Sequence, residues 1–147
     1  MKRFVFVLLA SVVMQAAIAQ IRKIPAEVTN AFATKYPDAK DVEWKDNLSN
    51  FSARFISTDS NKCSASFNGK GEWQSTEEEL DESELPAAVK EGFSKSRFTE
   101  RKLSEIVKIE KKEAEVQYRL LVKKNDVEKK YLYYNKEGKL LKEAMTL

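Results

Sequence analysis

The segment Ile24-Pro25-Ala26-Glu27-Val28-Thr29-Asn30-Ala31-Phe32 returns 61 residues later as Leu85-Pro86-Ala87-Ala88-Val89-Lys90-Glu91-Gly92-Phe93. The two match at the aliphatic residue, the proline, the alanine, the valine and the phenylalanine. A second correspondence follows in the same order, Phe67-Asn68-Gly69-Lys70-Gly71 with Tyr134-Asn135-Lys136-Glu137-Gly138, 67 residues apart. A duplicated unit constrains the fold strongly, because each copy must bury its apolar face in the same way. The copies are read as residues 20–80 and 81–147, packed into one unit.

Within each copy the hydrophobic period changes once. Ile24, Val28, Phe32 and Tyr36 recur every four residues, as do Leu85, Val89 and Phe93, so each copy opens with an amphipathic helix whose proline sits in the first turn. Tyr36-Pro37 ends the first helix, since proline disfavours the helical conformation in the residue before it. Short alternating stretches follow around Val42–Trp44, Phe51–Phe55, Cys63–Phe67 and Glu72–Gln74. They are separated by Asp46-Asn47, Thr58-Asp59-Ser60-Asn61 and Asn68-Gly69-Lys70-Gly71 turn signals. The second copy repeats the plan with strands over Ser104–Glu110, Glu115–Lys123, Lys129–Tyr134 and Lys139–Met145. The reading is an α+β chain of two tandem repeats, each one helix plus a four-stranded antiparallel sheet. Glu77 to Glu84, with six carboxylates in eight positions, reads as a solvated strand end leading into the second helix and not as a calcium loop, whose glycine and ligand spacing it lacks.

Alternation assigns faces. Phe51, Ala53, Phe55, Ala65, Phe67 and Trp73 align with Tyr118, Leu120, Val122, Leu132, Tyr134 and Leu140, and these meet the helices. Trp44 is core packing, and Cys63 joins the same face as a small buried hydrophobe with an unreactive thiol. The other face offers Ser52, Arg54, Ile56, Ser64, Ser66 and Gln74 in the first copy. In the second it offers Gln117, Arg119, Leu121, Tyr131, Tyr133 and Leu141, the tyrosine, arginine and aliphatic mixture of a protein-binding surface.

Lys2 and Arg3, the apolar run Phe4 to Val13 and the small-x-small site Ala17-Ile18-Ala19 form a secretory signal peptide, residues 1–19, cut near Ala19-Gln20. The run is too short to span a bilayer as a helix. The expectation is a periplasmic or secreted chain without membrane insertion. Lys2 and Arg3 leave with the signal, so the net charge falls from +3 to +1 and gives no case for nucleic acid. The second copy carries +3 against −2 for the first. Its lysines, Lys108, Lys111, Lys112, Lys123, Lys124, Lys129 and Lys130, read chiefly as protection of strand edges.

Catalytic chemistry is poorly supplied. Histidine is absent, Cys63 is the only cysteine, and no phosphate loop, Gly-x-Ser-x-Gly or Cys-x-x-Cys occurs. Asp41 with Glu43, and Glu113 with Glu115, alternate onto one strand face, yet charged strand edges are far commoner than glycosidase pairs. No catalytic, cofactor or metal site is assigned.

Ile24-Pro25-x-x-Val28-x-x-x-Phe32, Tyr36-Pro37-Asp38-Ala39, Val42-x-Trp44 and Phe67-x-x-x-Gly71, partly repeated at Leu85 to Phe93 and Tyr134 to Gly138, resemble the exported PepSY-like, beta-lactamase-inhibitor-like proteins of Bacteroidetes. The resemblance covers nearly the whole chain after the signal. It implies one curved sheet with both helices on its convex side, no catalytic residues, and a concave face free for binding, as beta-lactamase inhibitor protein uses it. Lys95-Ser96-Arg97-Phe98 departs from the pattern where Tyr-Pro stands in the first copy. The resulting expectation is a non-enzymatic module that binds an envelope protein or peptide through its open sheet face, including inhibition of a hydrolase or peptidase. The alternative is a small-ligand sensor or carrier using the concave surface. Oligomeric state stays open.

Overall fold

Proline has no N–H to lose at a helix start, and both helices begin directly after one. The computed structural model describes residues 23–146, so the predicted signal peptide lies outside the described residues. Helix α1 spans Ala26–Lys35 and α2 spans Ala87–Ser94. The Pro25 carbonyl accepts from the N–H groups of Val28 and Thr29 at 3.1 and 3.2 Å, and the Pro86 carbonyl from Val89 and Lys90 at 3.0 Å. Each proline is therefore the cap residue, one position earlier than the first turn in which the sequence suggests it.

The strands are β1 Lys40–Asp46, β2 Phe51–Ile56, β3 Lys62–Phe67, β4 Trp73–Glu79, β5 Lys102–Lys111, β6 Val116–Lys123, β7 Lys129–Asn135 and β8 Leu140–Met145. They form one eight-stranded antiparallel sheet in chain order, with α2 inserted between β4 and β5. A 3-10 turn at Glu82–Glu84 leads into α2, and another at Lys112–Ala114 joins β5 to β6.

Directly paired residues share a face, so the register carries one face across the whole sheet. Ala53 pairs with Ala65, Ala65 with Thr76, Thr76 with Glu110, and Lys108 with Tyr118 in the same row direction. The helix-packed residues of β1 to β4 and of β5 to β8 thus lie on one side. One apolar cluster gathers Val28 and Phe32 of α1 over Phe51, Ala53, Phe55, Cys63, Ala65 and Phe67. Phe32 is its centre, with ring centroids 5.2 to 5.3 Å from Phe55, Trp44 and Tyr36. The other gathers Leu85, Val89 and Phe98 over Ile106, Tyr118, Leu120, Val122, Leu132 and Tyr134. Phe98 fills this core from the segment that departs from Tyr-Pro, a role the sequence pattern does not announce.

Between the clusters runs a polar seam. Trp73 Nε1 donates to Thr76 Oγ1 at 2.8 Å, and the Tyr36 hydroxyl bonds the same oxygen. Lys108 stands 2.6 Å from Glu110 and 3.6 Å from Glu78. Lys108 therefore lies mid-strand in an ion-pair cluster, not at a strand end. The acidic run also reads differently in three dimensions. Glu77 and Glu78 belong to the part of β4 that is paired on both sides, so they are partnered carboxylates of a central strand, while Glu79 is its exposed last residue and leads with Asp81, Glu82 and Glu84 into α2 as a solvated end.

Candidate functional site

Alternation leaves one face of the sheet without a helix, and there the second half builds a small apolar floor. Val107 and Ile109 of β5 and Leu121 of β6 point away from the helices, yet they are only 3, 6 and 9% exposed. Neighbouring long side chains cover them. Arg119, opposite Val107 in β5 and Tyr133 in β7, reaches diagonally to β4. Its guanidinium donates to Glu77 Oε2 at 3.0 Å and Oε1 at 3.3 Å, lies 3.6 Å from Glu105, and sits over the Tyr131 ring at 5.3 Å. Burial disfavours the Arg119 charge, but the Glu77 carboxylate outweighs it and holds the guanidinium protonated beyond its ordinary range. Lys142 Nζ caps the Tyr133 ring at 4.2 Å. Each tyrosine is half-buried and fixed in place by a cation of the same chain.

Of the six residues the sequence singles out, Gln117, Arg119, Leu121, Tyr131 and Tyr133 lie together on this face. Leu141 does not join them. The register between β7 and β8 slips at Tyr133/Tyr134, so Lys142 occupies the position opposite Tyr133 and Leu141 is the extra residue of the bulge. The same slip between Ser66 and Phe67 sets Ser75, not Gln74, opposite Ser66, although Gln74 Oε1 still accepts from the Ser66 hydroxyl at 3.3 Å. Glu77, Glu105, Val107, Ile109 and Lys142 are members of the site that sequence reasoning misses. Their signal lies in cross-strand register, and the run Ile106-Val107-Lys108-Ile109 has too many apolar positions to reveal which face each takes.

Beside the floor a cavity of about 520 Å³ is lined from six consecutive strands, β1 to β6. Its charged groups are Asp41, Glu43, Glu77, Glu79 and Glu105 against Arg54, Lys62 and Arg119. A hollow reached by strands so far apart means that the open face is dished. Asp41 and Glu43 both reach it, with Asp41 in the left-handed region at φ 52°. Glu113 and Glu115 do not share a strand face as expected, because Glu113 falls in the 3-10 turn at φ 65°. On the helix side a second hollow of about 180 Å³ is lined by Lys35, Tyr36, Cys63, Thr76, Glu78 and Glu110. There burial pushes the Cys63 thiol up to about 11, with Glu78 adding to the effect, so it is a poor nucleophile at neutral pH. Among the described residues no group of three or more His, Cys, Asp or Glu side chains is arranged to hold a metal ion. No described helix is long and apolar enough to cross a membrane.

An antiparallel sheet with two helices on one side and an arginine-tyrosine floor on the other defines an open-faced α+β class. The chain belongs to the PepSY-like, beta-lactamase-inhibitor-like family, whose family model matches residues 49–142. It is similar in fold to a BLIP-like protein of Bacteroides fragilis, at 24% identity over 84% of this chain and 87% of that one, TM-score 0.78. A DUF2874 family protein of Bacteroides ovatus matches at 23% over 84% and 88%, TM-score 0.79. A candidate periplasmic protein of Bacteroides eggerthii matches at 22% over 84% and 89%, TM-score 0.78. No curated protein matches the chain.

Proposed function

We propose that this chain is an exported, non-enzymatic binding module that engages an envelope protein or peptide through the second half of its open sheet face. The observation that carries the reading is the Arg119 arrangement. A guanidinium fixed by two carboxylates, two tyrosines held by cations and a covered floor of Val107 and Leu121 form a preorganised surface of the residue types that dominate protein interfaces. Inhibition of an envelope hydrolase or peptidase is the specific version. The family membership supports it by analogy of fold, and the absence of histidine favours binding over catalysis.

Crosslinking in the native envelope, followed by identification of what is attached, tests this. The wild type is expected to yield a defined protein adduct, and Tyr131→Ala with Tyr133→Ala to reduce it at least about tenfold with a melting shift of only a few degrees. Equal adduct from the double variant would remove the sheet face from the interaction.

The dished cavity favours a second reading, a periplasmic small-ligand sensor or carrier, since about 520 Å³ suits a small molecule. Five carboxylates against three cations in its lining make an anionic ligand the poorer fit there.

We also infer that residues 20–80 and 81–147 are two copies of one unit after a signal peptide at 1–19. In support, Gly71 and Gly138 have φ 79° and 80° and back onto the carbonyls of Glu27 and Ala88, equivalent positions in the two helices. The preceding turns close identically, Gly71 N–H to Asn68 O and Gly138 N–H to Asn135 O, both at 3.0 Å. The likeness to the B. eggerthii protein supports a periplasmic location.

A further inference from the structure

Three lysines stand side by side on the open face, where their charges oppose one another. The register pairs Lys102 of β5 with Lys123 of β6, and Lys123 with Lys129 of β7. Alternation from Leu121 and Tyr131 assigns all three to the face without helices. Directly opposed side chains start about 5 Å apart, so the three stems rise from a line about 10 Å long. Like charges set directly opposite destabilise an antiparallel pair.

The fold accounts for only part of the arrangement. Edge protection explains Lys102, because β4 pairs with β5 no further than Val107 and leaves the Lys102 end open on one side, but it does not explain Lys123 and Lys129 on β6 and β7, which are flanked on both sides. Internal ion pairing does not either. Nearby Glu128 is taken by Arg101 and Lys124, and Glu143 by Arg97 and Lys130, while Lys102, Lys123 and Lys129 have no ion-pair partner among the described residues. A cavity of about 210 Å³ opens at this end of the sheet, lined by Lys102, Ser104, Lys123, Lys124, Asn125 and Asp126. It sets Lys102, Lys123 and the Glu128-paired Lys124 against the Asp126 carboxylate, while Lys129 stands outside its lining. Asn125 Oδ1 accepts from the N–H groups of Val127 and Glu128 at 3.0 and 2.6 Å, which leaves its amide nitrogen as a further donor.

We propose that this lysine row is a binding site for a phosphate-type oxyanion. Lysine binds phosphate as a point charge, and an anion in the hollow between Lys102 and Lys123, with Lys129 next in the row, offsets their mutual repulsion by attraction. The hollow has room for a phosphate or diphosphate group. Such a group reaches it either on a soluble phosphate ester or on a lipid headgroup, and Val127, 92% exposed at the tip of the adjoining hairpin, stands where a headgroup layer would meet it. The site stands independently of the protein-binding reading.

The test titrates pyrophosphate into the chain at constant ionic strength and follows amide resonances. Saturable shifts centred on Lys102, Lys123 and Lys129 are expected, weakened about tenfold in Lys123→Gln and abolished in Lys123→Glu. A parallel arm sediments the chain with phosphatidylglycerol vesicles and with phosphatidylcholine vesicles. Sedimentation with the anionic vesicles alone, competed by pyrophosphate, identifies a lipid headgroup as the source, whereas pyrophosphate shifts without sedimentation identify a soluble phosphate. Both support the site. Lys123→Glu places a carboxylate between two lysines and is expected to melt no lower than wild type, which separates lost binding from lost folding. Lys123→Gln keeps the comparison whatever the glutamate variant does. Shifts spread over lysines everywhere, reproduced by sodium chloride or unchanged in both variants overturn the proposal, as does no response to either probe.

Discussion

Arg119 holds a charge on a sheet face where its side chain is only 20% exposed, and it is tolerated because Glu77 and Glu105 meet it. Both carboxylates are more exposed than the arginine, at 42 and 38%, so water screens much of the attraction. The coupling between Arg119 and Glu77 is therefore expected to be about 1 kcal/mol in a double-mutant cycle of Arg119→Met and Glu77→Gln, read from denaturant unfolding. Zero coupling would mean that the pair orients the side chain without stabilising the fold. At this scale the sequence is legible wherever alternation alone decides. Cys63, Tyr118 and Tyr131 take the faces that odd and even positions assign. Leu141 does not, because it is itself the residue inserted into β8 between Leu140 and Lys142. The Lys102, Lys123 and Lys129 row is likewise invisible, since like charges far apart in sequence become neighbours only through register.

The elements are joined by contacts between each helix and the last hairpin of its own half. A Cβ on Gly138 would lie 2.0 Å from the Ala88 carbonyl oxygen, and its φ of 80° strains any L side chain. Gly69 lies in a similar turn with its nearest contact, Phe51 Cε2, at 4.0 Å. Gly138→Ala is expected to cost at least about 2 kcal/mol and Gly69→Ala within about 0.5 kcal/mol, measured by chemical denaturation. Comparable losses at both positions would mean that turn entropy, not the close approach of α2, makes glycine necessary. The helix-and-hairpin plan is readable from sequence because the period changes sharply after Tyr36 and because Asn-x-x-Gly turns follow. The role of β4 is not readable. Glu77 to Glu79 looks like a solvated run until β5, returning from beyond α2, pairs with it and supplies Lys108, while Arg119 and Lys62 meet the other two carboxylates.

Across the whole molecule, two apolar clusters meet at a polar seam bordered by Tyr36 and Cys63 of the first cluster, and this gives folding a defined response to alkali. Burial raises the Tyr36 phenol above its ordinary value, and burial with Glu78 raises Cys63 from 9.0 to about 11. Between pH 9 and 11 the unfolded thiol loses its proton while the folded one keeps it, so the native state binds more protons and stability falls as pH rises through that window. Below pH 9 both states hold the proton, and this group contributes no pH dependence. The Lys108 ion pairs add to the fall toward the top of that window and above it, because an unfolded lysine begins to lose its proton near pH 10.5 while the folded one keeps it. Burial pulls the Lys108 ammonium down, yet Glu110 and Glu78 outweigh it and keep the group charged to higher pH than an ordinary lysine. The thermal midpoint is accordingly expected to stay flat from about pH 7 to 8.5 and to decline above pH 9, with a shallower decline between pH 9 and 11 in Cys63→Ala. Identical alkaline profiles for the variant and the wild type would assign the loss to the buried phenols Tyr36 and Tyr134 and to Lys108, whose raised values all act in the same direction.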